Sequence, residues 1–161
     1  MTQDDLVAAA DKNFKAWNDA LQTCSKETVA AMYTTSMSFL PTVSPNHIKT
    51  TQGALDYFAD FLKKKPFGTI TDQSYMAAGS SSYLHSGLYT FDLGDVGARQ
   101  KVAARFSYMW TKVGNDWKIA HHHSSVVPGS GETGMTEATV LQAQVSQGPY
   151  CRHDTLELIQ G

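Results

Sequence analysis

Residues 104–128 read ARFSYMWTKVGNDWKIAHHHSSVVP, and the reading of this stretch decides the rest of the chain. Two segments of strand composition, 102–113 and 117–127, flank Gly114-Asn115-Asp116, residue types that reach the backbone angles a tight hairpin needs. Strand side chains alternate between faces. A regular second strand therefore puts Trp117, Ile119, His121, His123 and Ser125 on one face, with His122 and Ser124 on the other. An apolar wall ending in two imidazoles and a hydroxyl is expected to floor a small polar pocket.

Upstream, the period of two continues through candidate strands 69–78 and 82–93. In the latter, Tyr83, His85, Gly87, Tyr89 and Phe91 fall on one face. In 102–113, Val102, Ala104, Phe106, Tyr108 and Trp110 do so, with Arg105, Ser107 and Met109 opposite. Before Gly68 the period is 3.6. Thr2 caps a helix with Asp4 and Asp5 in its positive first turn, and Leu6, Ala10, Phe14, Trp17 and Leu21 form its apolar stripe. Ser25 caps a shorter helix carrying Val29, Met32 and Tyr33, and 37–40 is a short strand. Thr50 or Thr51 starts a third helix with Leu55, Phe58, Phe61 and Leu62, and Pro66 stops it.

Helices first and strands second predict an α+β fold, a cone-shaped curved antiparallel sheet wrapped around the helix over residues 4–21. Each apolar surface needs the other. Residues 1–128 form one domain. Pro128-Gly129-Ser130-Gly131 ends the core composition, which leaves 129–161 as an extension serving as linker or dimer-packing segment.

A chain of 161 residues with 42% hydrophobic and 17% charged content can bury a real core. Its net charge of −2 gives no footprint for nucleic acid, and Lys63-Lys64-Lys65 suits a helix C-terminus. No apolar run approaches the ~20 residues of a membrane span, and the start has no targeting pattern. A soluble protein is expected. Cys24 and Cys151 make no disulfide framework, which fits a reducing compartment or a fold independent of disulfides.

Three consecutive histidines invite a metal. His121 and His123 could share one divalent ion such as zinc or manganese, with Cys24, Cys151, His85 or a carboxylate completing the site. Neither Cys-x-x-Cys nor His-Glu-x-x-His accompanies them, so a metal is the alternative and no cofactor the expectation. A buried histidine bonded to a tyrosine is the structural reading. A serine hydrolase is discounted for want of a Gly-x-Ser-x-Gly elbow, and the scattered glycines build no phosphate cradle.

The order of three helices then a meander, Tyr57-Phe58, and the ending Trp117…His121-His122-His123-Ser124-Ser125…Pro128 resemble the nuclear transport factor 2-like superfamily. Within it the chain is similar to the association domain of calcium/calmodulin-dependent protein kinase II. It also resembles iota-class carbonic anhydrases of algae, cyanobacteria and other bacteria, which carry the same His-His-His-Ser-Ser or a His-His-Ser-Ser ending. Phe39-Leu40-Pro41-Thr42, Tyr57-Phe58…Phe61-Leu62…Lys65-Pro66, Ser86-Gly87…Tyr89-Thr90-Phe91 and Ala104-Arg105-Phe106 add to the likeness, which covers about residues 4–128.

The resemblance implies reversible hydration of carbon dioxide to bicarbonate, without a metal in some members. The compartment it implies is an algal plastid or other organelle, or the bacterial cytoplasm or periplasm. Carried over, the catalytic set is Thr42, Tyr57, His123 and Ser125. Tyr108, His121 and Trp17 are added as substrate-binding; the first two come from the face pattern. His123 would take the proton of the attacking water. Superfamily members usually pair through the outer sheet face, so a homodimer or higher ring is expected. The alternative function is a non-enzymatic oligomerisation or small-ligand-binding module.

Overall fold

The structure, a computed structural model, describes residues 1–129; the extension from Ser130 onward, with Cys151, lies outside the described residues. α1 spans Gln3–Leu21. Thr2 Oγ1 accepts from the Asp5 amide at 3.1 Å, and the Asp5 carboxylate accepts from the Thr2 amide at 2.9 Å, which closes a capping box. α2 (Lys26–Ala30) is capped by Ser25, and α3 (Thr51–Phe61) by Thr50, each accepting from the amide three residues on. The chain turns out of α3 through a 3-10 turn, Leu62–Lys64, and Lys65 takes the left-handed conformation ahead of Pro66.

Among the described residues five strands follow or interrupt these helices: β1 (Tyr33–Leu40), β2 (Phe67–Ala77), β3 (Ser82–Leu93), β4 (Gln100–Val113) and β5 (Asp116–Val126). They form one open sheet in the order β1-β5-β4-β3-β2. The meander β2 to β5 is antiparallel as expected. β1, however, runs parallel to β5, so the sheet is mixed and not wholly antiparallel. Two local expectations change with it. Tyr33, placed on the second helix by its spacing, opens β1, which therefore starts four residues before the expected 37–40. The helix stops at Ala30 because the β-branched pair Thr34-Thr35 follows within a turn.

The sheet curves around α1. Leu6, Ala10, Phe14, Trp17 and Leu21 are buried against Tyr83, Tyr89, Phe91, Ala104, Phe106, Tyr108 and Trp110, so the two apolar faces meet as the sequence pattern requires. Polar clamps fix the helix in register. Asn18 donates to the Gly68 carbonyl at 3.0 Å and accepts from the Gly68 amide at 2.9 Å, and Asn13 Nδ2 donates to Tyr83 Oη at 2.8 Å. Burying these amides with their partners keeps their desolvation from destabilising the core. Along β1 the partly exposed run Thr34–Ser36 bridges a break in the parallel register with β5.

Candidate active site in the cone

The site depends on one extra residue in β5. Trp110 pairs with Ile119 and Met109 with His121, so Ala120 is left over in a bulge. Alternation restarts one residue out of phase beyond it. Ile119 faces the core, and so do His122 and Ser124, which are 2% and 5% exposed. His121, His123 and Ser125 therefore do not share a face with Ile119, contrary to expectation. They lie on the outer face, where His123 is exposed and Ser125 half-buried. His121 Nδ1 sits 3.2 Å from Ser38 Oγ, which meets His47 Nε2 at 3.0 Å.

The inward pair joins a continuous hydrogen-bonded row. Trp17 Nε1 donates to Tyr33 Oη at 3.2 Å, and that oxygen lies 2.9 Å from His122 Nδ1. His122 Nε2 is 3.3 Å from Tyr89 Oη, which donates to Ser124 Oγ at 2.5 Å. Ser124 Oγ in turn pairs with Thr42 Oγ1. The imidazole is held between neighbouring strands: Phe39 of β1 stacks on it at 4.9 Å between centroids and Tyr108 of β4 at 4.1 Å. Both ring nitrogens thus have oxygen partners and both ring faces have aromatic ones.

All groups in this row are neutral. Burial pushes the phenols of Tyr33, Tyr89, Tyr108 and Tyr57 well above their usual 10.0, so they are donors and not bases. Burial, followed by the charges of His121 and His123, holds His122 well below its usual 6.5. Below Thr42 lies a cavity of about 10 Å³ lined by Thr42, Tyr57, Tyr89, His122 and Ser124 among aromatic side chains that include Trp17. It has room for about one water. Thr42, Tyr57 and Phe61 also line a groove of about 680 Å³ beside α3, so they form the partition between the two.

Thr42, Tyr57 and Trp17 line this one cavity, and the Trp17 N–H is committed to Tyr33. Tyr108 supports His122 by stacking, and its buried hydroxyl has no hydrogen-bond partner among the described residues. Sequence reasoning missed His122 and Ser124, assigned to the wrong face, and Tyr33, assigned to a helix. Tyr89 was on the inward face but was given no role; its alternation with Phe91 was the available signal.

Among the described residues the donor set does not fit a metal. The cavity is lined, among the described residues, by a single imidazole, that of His122, with both nitrogens engaged, and by no carboxylate. Outside, His85 cannot join His121 and His123, because it faces the interior, bonded to Gln73 at 3.0 Å. Among the described residues no group of three His, Cys, Asp or Glu is placed to hold an ion.

An open curved sheet around an N-terminal helix, with a small polar site at the mouth, defines the nuclear transport factor 2-like, cystatin-like class. A structure at 16% identity from Pseudomonas putida KT2440 (an NTF2-like protein of unknown function, TM-score 0.66, 83% of this chain and 93% of that one) shares this fold. So does a Novosphingobium aromaticivorans protein provisionally assigned as a scytalone dehydratase (11% identity, TM-score 0.67, 79% and 89%). Residues 8–128 match the calcium/calmodulin dependent protein kinase II association domain, and the chain belongs to that family. A Xanthomonas campestris protein provisionally assigned to the same domain is 36% identical over 76% of this chain and 86% of its own, with TM-score 0.71. No curated protein matches. No helix among the described residues is long and apolar enough to cross a membrane.

Proposed function

We propose that the chain is a carbonic anhydrase that hydrates carbon dioxide without a metal, using His122 and Ser124 in place of His123 and Ser125. The observation that carries this reading is the row of neutral donors ending at Thr42 beside a one-water cavity at the mouth of the cone. The histidine-serine ending that resembles iota-class enzymes supplies those inward groups once the bulge is allowed for. Water held among Thr42, Tyr57 and Ser124 attacks carbon dioxide entering from the groove. The C–O bond forms, negative charge develops on the carboxylate oxygens, and Thr42 and Tyr57 hydroxyls donate to them. The product is bicarbonate, and the proton released passes to water or buffer in the groove.

His123 cannot serve as the base from the outer face, and no ionised group lines the cavity. Neutral donors stabilise a developing anion less than a dication does, so modest turnover is expected. The second reading, a non-enzymatic association or ligand-binding module, draws support from the small cavity, since bicarbonate must sit astride the Thr42–Tyr57 partition. Stopped-flow carbon dioxide hydration on chelator-treated protein, with elemental analysis of the same sample, separates them. Activity above buffer in metal-free protein is expected. No activity would favour the binding module, and activity lost on chelation and restored by zinc or manganese would overturn the metal-free mechanism.

A further inference from the structure

The hydrogen atoms in the row have a fixed direction. Trp17 has only a donor to offer, so at 3.2 Å its N–H occupies a lone pair of Tyr33 Oη. Tyr33 is 4% exposed, and His122 Nδ1 at 2.9 Å is the acceptor within reach of its hydroxyl hydrogen. A buried donor left without an acceptor is the costlier arrangement, so the phenol donates and Nδ1 accepts. The neutral imidazole then carries its proton on Nε2 and directs it at Tyr89 Oη. Tyr89 accepts there and donates to Ser124, which donates to Thr42. Thr42 Oγ1, already an acceptor, has its own hydrogen left to give.

We propose that Trp17 and Tyr33 lock His122 as the Nε2–H tautomer, polarising the row so that its open end at Thr42 presents a donor and admits a small oxyanion. This rests on the reading of the cone mouth as the reaction site and adds what that site selects. Trp17 and Tyr33 are positioning residues; Thr42 and Tyr57 touch the ligand. Thr42 lies beside the Tyr89 phenol as well, where its hydrogen can rest, but an anionic oxygen is the stronger acceptor. A proton entering at Thr42 would need every hydrogen in the row reversed and would strand that of Tyr33. His122 is therefore a fixed donor scaffold and not the base.

The test is long-range proton–nitrogen correlation on the full chain labelled with 15N-histidine, with His122 assigned by its loss in His122→Asn. The wild type should show an Nε2–H imidazole. An Nδ1–H form or an even mixture would overturn the proposal without any variant having to fold. Tyr33→Phe should release the lock to mixed tautomers and weaken bicarbonate binding about tenfold, while ammonium, which has donors only, should give no saturable shift in either protein. Equal binding of bicarbonate and ammonium, or a freed tautomer with unchanged bicarbonate affinity, would refute the selection. A locked tautomer in a protein without hydration activity would remove the carbonic anhydrase reading and leave this one. An active enzyme with an Nδ1–H imidazole would do the reverse.

Discussion

Adjacent serines sit on opposite faces of β5, one turned into the cone and the next outward. Ser124 is buried between Tyr89 and Thr42, so Ser124→Ala breaks the row and should lower hydration turnover on the order of a hundredfold. Ser125→Ala and His123→Ala should leave it within about twofold; a large loss in either by stopped-flow assay would move the site to the outer face. Two buried histidines also set the acid limit of the fold. Burial lowers His85 to about 4 and His122 well below 6.5, so below pH 6.5 the unfolded chain binds protons that the native one refuses. Stability contributed by their neutral forms is present above pH 6.5 and is lost progressively as pH falls toward 4. Melting temperature should drop across that window, and His85→Gln should flatten the slope in thermal scans.

Elements are tuned by irregularities more than by regular pairing. β2 carries a register shift between Ile70 and Asp72, and the Asp72 carbonyl comes to within 2.0 Å of where a Cβ on Gly87 would lie. Only glycine lets the strands approach there. Gly87→Ala should destabilise by about 1–3 kcal/mol in urea titrations, and an unchanged midpoint would show that β2 relaxes freely. The bulge at Ala120 has the larger consequence, since it sets which histidine faces the cone. Deleting Ala120 restores a regular ladder in which His122 still pairs with Tyr108, so the inward set should survive while the local bend of β5 is lost.

At the scale of the whole molecule, the sheet's outer face carries Leu88, Arg105, Ser107 and Met109 in adjoining rows, with Leu88 38% exposed. This mixed surface is expected to pair with a second copy. Light scattering at micromolar concentration should give twice the 17.6 kDa chain mass, and Leu88→Glu should return the single-chain value; a wild-type monomer would refute the pairing. With no ionised base in the cavity, hydration should quicken as buffer concentration rises at constant pH. A rate indifferent to buffer would point to an internal base that the neutral row does not supply.

By itself the sequence determined the fold class and most element limits, because each rests on local periodicity. The α1 stripe, the faces of β3 and β4 and the Thr2 and Ser25 caps were all legible, whereas Thr42 and Tyr57 were named by the family resemblance and not by periodicity. What only tertiary structure decided was the parallel seating of β1 and the phase of β5. Strand alternation has a period of two and carries no mark of an extra residue. Ala120 becomes the extra one only when β5 is held by Trp110 and Met109 on one side and by β1 on the other. That non-local fit turned His122 and Ser124 inward, brought the Tyr33 hydroxyl to the imidazole, and left His121, His123 and Ser125 on the outer face.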